Sequence, residues 1–469
     1  MIQLYTYLLL MLSNPDSAVS TPDSLNLSAF PELQSASMAY QMTDAATGEV
    51  VMEHNPTKAL APASVLKLFT TALALDVLGS EARMKTNLYT SGTVSKGVLE
   101  GDLIFDANFD PSLASDRFDN TIGVKVKQIM IYLTSKGIKE IEGKIKIVEK
   151  VNAAERIPRT WVWEDIGNYY GAGLGSTILN ENQLELHFKS GKKGTLTSLE
   201  RTVPELTWLK FDNHVRASRK RKDLAYAFGS PGSNEITITG TIPQNNRDFK
   251  VKAALPNPSQ ALAFRLHKGL VSMGLKVEEG YAVISDIPSN AELVKEFTSA
   301  TTKKIVRETN LHSVNILAEA LLMNAYLHSE SELPKNQWML AELSKHLDTK
   351  GMKLYDACGL SRFNAVTVTQ MNQLLTWMNG HKDGINFTRS YAIAGFSGTL
   401  KRFLKLTDAI GKFKGKSGSM SGVRAYCGEL EGKSGKKYNL SIMVNNYDMS
   451  SRELVLLLEK WFLGLHQNF

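Results

Sequence analysis

The chain is 469 residues long and 43% hydrophobic, which marks it as globular and too long for one compact core, so two or more domains are expected. A formal net charge of +7 favours contact with anionic polymers or membrane surfaces without identifying a partner. Two cysteines, Cys358 and Cys427, exclude a disulfide framework and a four-cysteine zinc site.

Residues 5–12 form an apolar run too short to span a bilayer, followed by a polar stretch at 13–20. Residues 1–20 therefore read as a secretory signal, incomplete because no Lys or Arg precedes the apolar run. The expectation is an exported protein of the periplasm or cell envelope with at most peripheral membrane contact. Residues 37–54 read as a hairpin: Met38, Tyr40 and Met42 alternate, Ala45 to Gly48 turn, and Val50 and Met52 return. An apolar helix follows, with Pro62 in its first turn and Leu66, Leu68, Phe69, Ala72, Leu73 and Leu75 as the face to bury. Ser64 and Lys67 open that helix three residues apart, so a hydroxyl and an amine share one face, the layout of a Ser nucleophile with a Lys base. Two other Ser-x-x-Lys spacings, Ser190…Lys193 and Ser434…Lys437, fall in Gly/Lys-rich turns that would hold neither side chain in place.

Between residues 86 and 285 the pattern changes to short strands such as 101–106, 143–148 and 235–239, interrupted by helical stretches near 124–136 and 260–273. The basic run at 214–222 reads as a solvated loop, with polyanion contact as the lesser reading. After residue 309 the chain becomes helix-rich, at 310–327, 336–347 and 367–378, before two alternating strands and an amphipathic helix at 450–465. The economical organisation is a catalytic domain, residues 28–85 and 290–469, split by an insert over 86–289.

Ser313-Val314-Asn315 falls at a helix start, where capping is the ordinary role of such residues. Lys416-Ser417-Gly418 precedes a strand-like stretch, 419–430, that can pair with 438–444, and its glycine would let an extended peptide approach the edge. Lys433-Ser434-Gly435 repeats the tripeptide inside a hairpin turn. Residues 411–417 and 428–434 mimic a phosphate-binding loop, yet three residues separate their glycines where four are needed, which argues against nucleotide binding. No His-Glu-x-x-His zinc pattern occurs, and no metal, organic cofactor or nucleic acid is expected.

With these three motifs in this order, the chain resembles the class C low-molecular-mass penicillin-binding proteins, D-alanyl-D-alanine carboxypeptidases and endopeptidases with a large insert between the first two motifs. Four further stretches look like that family: Gly167 to Gly173 with Asn180 to Asn182, Gly101 to Leu103 with Asp110-Pro111, Gly359 to Asn364, and Ala394 to Leu400. Two positions depart from it, Ser417 where Thr is usual and Cys358 where a small Ser is common. The resemblance implies an α/β (α+β) fold of the serine β-lactamase/transpeptidase type, an antiparallel sheet packed between helices, split by a strand-rich insert of two smaller subdomains. It implies Ser64 as nucleophile, Lys67 as general base with burial and the Lys416 charge lowering its pKa, Ser313 as proton shuttle, and Asn315 as an orienting group. It further implies that Lys416 and Ser417 take the substrate carboxylate beside Gly418, and that the backbone N–H groups of Ser64 and Ser419 bind the oxyanion. Peptidoglycan stem peptides are then the substrate and β-lactams covalent inhibitors. A β-lactamase and a non-catalytic cell-wall-binding protein are the rival readings.

Overall fold

The computed structural model describes residue 27 and residues 30–469; the expected leader over residues 1–20 lies outside them. Its central element is a six-stranded antiparallel sheet in which the N-terminal hairpin pairs with a strand from the far end of the chain. In spatial order it contains β3 (Ala392–Ile393), β4 (Phe413–Met420), β5 (Val423–Glu431), β6 (Lys437–Asn445), β1 (Ser37–Asp44) and β2 (Val50–His54). Alternation decides which side chains face which layer. Ala39, Ala425, Cys427 and Met443 face a core built with α1 (Lys67–Leu78), α2 (Thr302–His312), α3 (Asn315–His328) and α4 (Val368–Asn379). Met38, Tyr40, Met42, Tyr426, Ile442 and Val444 face the other way, onto Leu454, Leu458, Trp461 and Phe462 of α5 (Ser451–Asn468). The α1 helix is buried over Lys67 to Leu75, because helices pack against it on several sides.

Local details differ from the sequence expectations where tertiary packing overrides propensity. The Ser64 helix opens with a 3₁₀ turn, Ala63–Leu66, entered through Ala63 at φ +46°, a left-handed conformation rare for a residue with a Cβ. The expected helix over 310–327 is two helices: α2 ends at His312, Ser313 takes φ +59°, Val314 is extended, and α3 begins at Asn315. The left-handed Ser313 breaks the helical hydrogen-bond series, so Asn310 ends one helix instead of starting the next. The expected strand 419–430 is likewise a hairpin, since Gly422 at φ +73° turns β4 into β5, and Lys416-Ser417-Gly418 lies inside β4 instead of ahead of a strand.

The insert leaves the layers of the six-stranded sheet and its helices after Met84 and returns at Ser299, and these two residues hydrogen-bond to each other across the crossing. The strand Ala291–Thr298 pairs with Lys85–Ser91 in a five-stranded sheet, so the insert's sheet continues past the boundary expected at residue 290. A four-stranded sheet and the helices Ile122–Ser135 and Pro258–Ser272 complete that part. The second part joins a three-stranded sheet around Gln183–Lys189 to a four-stranded sheet around Glu235–Pro243. Arg216–Ser218, within the run read as a loop, is a strand paired in parallel with Thr241 to Pro243.

Candidate functional site

Three elements meet at the mouth between the sheet and the helices: the turn at Ser64, the break at Ser313 and the strand β4. Lys67 is wholly buried, its Nζ 3.0 Å from Ser64 Oγ, 2.6 Å from Asn315 Oδ1 and 2.7 Å from the carbonyl of Cys358. Lys416 is also wholly buried, and its Nζ donates to Ser313 Oγ at 2.8 Å and to the carbonyl of Ser417 at 2.6 Å. Ser417 Oγ donates to Thr399 Oγ1 at 2.8 Å, while Ser419 stands exposed at the edge of β4. The sequence motifs thus converge on one place.

Glycine is required where β4 and the loop at Gly359 press on the Ser64 turn. A Cβ on Gly418 would stand 2.7 Å from the carbonyl oxygen of Pro62 and 3.1 Å from the amide nitrogen of Ser64. A Cβ on Gly359, at φ +84°, would stand 1.9 Å from the carbonyl oxygen of Ala63. The backbone amide of Ser64 is therefore held beside β4, next to the strand position that leads to Ser419.

Burial pushes the Lys67 amine below its ordinary pKa, although Cys358, Asp356 and Glu319 oppose part of that shift. Lys416 is pushed well below its own ordinary value, first by burial and then by repulsion from Lys67. The expected influence of one lysine on the other thus weighs on Lys416, because Lys67 has the acids beside it.

Those acids are the part that sequence reasoning missed. Asp356 accepts four hydrogen bonds, from Gly359 N (2.8 Å), Ser361 N (2.6 Å), Asn364 Nδ2 (2.8 Å) and Trp161 Nε1 (2.8 Å), the last from the insert. Glu319 accepts from Ala357 N at 2.9 Å and is pushed up to about 7, by burial first and by Asp356 second. Glu319, Asp356 and Cys358 each bring a ligand-type atom within 4.8 Å of the others, but the hydrogen bonds of Asp356 and Glu319 already commit that set to the protein. Cys358 and Cys427 are both free thiols. The only sequence signal for the acids was position: Glu319 lies one helical turn after Asn315 on α3, and Asp356 just precedes the Gly359 to Asn364 stretch.

Ser64, Ser313, Asn315 and Ser419 line an open cleft of about 410 Å³ whose far wall comes from the insert, through Asp165, Tyr170 and Tyr226. Asn315 Nδ2 donates to the carbonyl of Tyr170 at 2.7 Å, which ties that wall to the second motif. Burial raises the pKa of the Asp165 carboxyl, which accepts a hydrogen bond from the Tyr170 hydroxyl. Arg362 closes one end of the cleft by donating to the carbonyl of Ser421 at 3.1 Å.

Glu319 carries a testable consequence. Its carboxyl holds a proton in the folded state that the unfolded chain gives up, so the native state binds more protons between pH 4.5 and about 7 and loses stability as pH rises through that window. Glu319→Gln removes that dependence, on the order of 3 kcal/mol, and denaturant unfolding at pH 4 and pH 8 measures it. Above about pH 7, where Glu319 is ionised, the same substitution also removes one of the acids that oppose the downward shift of Lys67.

Residues 24–455 match the family model described as the D-Ala-D-Ala carboxypeptidase 3 (S13) family. The chain is similar to a D-alanyl-D-alanine carboxypeptidase of Actinomadura sp., 25% identical over 427 residues that cover 87% of this chain and 77% of that one. Its fold matches the crystal structure of penicillin-binding protein 4 from Haemophilus influenzae with a TM-score of 0.80, 19% identity and coverage of 95% and 99% of the two chains. It also matches the complex of that protein with a β-lactam, with a TM-score of 0.74, 19% identity and coverage of 93% and 97%.

Proposed function

The chain belongs to the D-Ala-D-Ala carboxypeptidase 3 (S13) family, a family of serine peptidases, and on that premise we propose that it releases the terminal D-Ala of peptidoglycan stem peptides through an acyl-enzyme on Ser64. The observation that carries this reading is the coordination of Lys67. A neutral amine has two N–H groups and one lone pair. Asn315 Oδ1 and the Cys358 carbonyl stand where they accept the two N–H groups, which leaves the lone pair for the proton of Ser64 at 3.0 Å. Burial favours that neutral form.

Ser64 Oγ then attacks the carbonyl of the penultimate D-Ala, with its proton passing to Lys67. The oxyanion forms beside the Ser64 amide and that of Ser419, where a pair of N–H donors is worth about 10²–10³ in rate per donor lost. Ser313, bonded to Lys416, relays the proton to the leaving amine. The terminal carboxylate sits by Lys416 and Ser417, which gives Lys416 the counter-charge that it lacks in the free enzyme. Water attacks the ester and returns the enzyme. The same steps on the D-Ala carbonyl of a cross-link give endopeptidase activity.

A β-lactam offers the same pairing of a reactive amide with a carboxylate, so it acylates Ser64. Peptidoglycan lies outside the cytoplasmic membrane, and we assign the enzyme there; no helix among the described residues is long and apolar enough to cross a membrane. Intact-protein mass after incubation with a fluorescent penicillin, beside a D-Ala-D-Ala peptide assay, tests the proposal. One lasting adduct per chain with D-Ala release is expected. Rapid penicillin turnover without an adduct would favour a β-lactamase, and neither adduct nor release would favour a binding protein.

A further inference from the structure

Six basic side chains that lie on two separate stretches of the insert meet on one exposed surface: Lys192, Lys193, Arg219, Lys220, Arg221 and Lys222. Backbone pairing brings the stretches together, with Gly194 N donating to the Ala217 carbonyl at 2.8 Å and Ala217 N to the Thr195 carbonyl at 2.9 Å. Arg216 Nη1 adds a bond to the Gly194 carbonyl at 3.0 Å. None of the six forms an ion pair with a described residue, although Lys and Arg side chains elsewhere among the described residues commonly do, as Lys85 with Glu296 and Lys437 with Glu429. The nearby acids are already engaged: Asp223 accepts from Ala225 N at 3.0 Å, and Asp248 pairs with Arg201 at 3.1 Å.

This surface runs into the cleft. The Arg219 to Lys222 turn leads directly into the strand Leu224–Phe228, whose Tyr226 lines the same cleft as Ser64. Tyr226 lies four positions after Lys222, roughly 13 Å of extended chain at about 3.3 Å per residue. A polymer bound with one stem peptide at Ser64 and running along that strand would lay its neighbouring anionic groups over the six cations.

We infer that the Lys192–Lys193 and Arg219–Lys222 loops form a second binding surface for the polymeric substrate, holding carboxylates of stem peptides adjacent to the one being cut. The inference rests on the carboxypeptidase reading above. Repeated carboxylates suit a row of exposed Lys and Arg side chains, which attract charge over a Debye length of about 8 Å without demanding one geometry. A lipid surface fits less well, because among the described residues only Leu196, 56% exposed, and Leu224, 36% exposed, put a large aliphatic side chain on the surface beside these loops. Tethering raises the local concentration of further stem peptides at Ser64, so the benefit appears with polymer and not with a free peptide.

The test compares the wild type with Arg219→Gln/Lys220→Gln/Arg221→Gln/Lys222→Gln, and with the same variant carrying Lys192→Glu/Lys193→Glu. Co-sedimentation with purified sacculi is measured at low and high salt, and D-Ala release is measured from sacculi and from a free pentapeptide. Binding and release with sacculi should fall about tenfold or more in the variants, most at low salt, while release from the pentapeptide and penicillin acylation stay within about twofold. Unchanged sedimentation would overturn the inference, as would an equal loss on both substrates. Sedimentation of the wild type with phosphatidylglycerol vesicles but not with sacculi would assign the surface to lipid and overturn it too. Failure of the carboxypeptidase reading has a separate signature, no D-Ala from the pentapeptide with the wild type, and the sedimentation comparison still decides the surface.

Discussion

Ser64→Ala takes up no penicillin and releases no D-Ala, and Lys67→Met, which keeps the nucleophile, acylates about 10³–10⁴-fold more slowly than the wild type. The size follows from what Lys67 does in its position. Its Nζ is the nitrogen 3.0 Å from Ser64 Oγ, and Ser64 without a base is a weak nucleophile at neutral pH. Met has nearly the same length and shape and carries no charge, so the buried site loses its base without a cavity opening. Two carbonyl-type oxygens, Asn315 Oδ1 and the Cys358 carbonyl, lose their donor in the variant, which costs some stability, while the cost of burying a polar amine is also gone. Thermal unfolding of the variant therefore stays close to that of the wild type, and stopped-flow acylation reports the missing base. A Lys67→Met enzyme that acylates at the wild-type rate would remove Lys67 from the mechanism and leave Ser313 with Lys416 as the base.

Asp356→Ala destabilises the catalytic domain by about 3–5 kcal/mol and lowers D-Ala release with it. The carboxylate gathers four donors, and its removal leaves Gly359 N, Ser361 N, Asn364 Nδ2 and the buried Trp161 Nε1 without an acceptor. Two of those donors hold the loop whose Gly359 packs on the Ala63 carbonyl beside the nucleophile, and a third carries the insert. The damage therefore reaches the catalytic turn, the cleft wall at Arg362 and the contact between the two parts of the chain. Denaturant unfolding measures the loss of stability. Trp161→Phe, which deletes one donor and leaves the carboxylate, provides the comparison and should cost no more than about 1–2 kcal/mol. Equal stability for Asp356→Ala and the wild type would show that the loop is held from elsewhere, by Thr70 Oγ1 on the Ala357 carbonyl at 2.6 Å.

The motifs were legible because each depends on a short stretch of chain. Three residues along a helical turn bring Ser64 and Lys67 together, and alternation sets which layer the residues of β1, β5 and β6 face. The hairpin of β1 and β2, the helix after Ser64, the decoy turn at Ser434 and the final helix all follow from such local signals. What the local signals missed is instructive at Ser313. A serine next to an apolar run reads as a helix start, yet Ser313 at φ +59° separates two helices, and its hydroxyl accepts from Lys416 at 2.8 Å.

Sequence by itself therefore placed Ser64 and Lys67 on one helical turn, located the two later motifs and pointed to short strands between the first and the second, since short-range geometry and hydrophobic period carry all of them. Tertiary structure alone decided the strand order that sets β1 beside β6, the insert's wall at Tyr170 and the acids Glu319 and Asp356 behind Lys67. The physical reason is that charge states and hydrogen bonds in a buried site depend on which distant residues exclude water from it. Lys67 is an ordinary lysine in the sequence, and its amine is pushed toward the neutral form only where α1, α3 and the Asp356 loop enclose it.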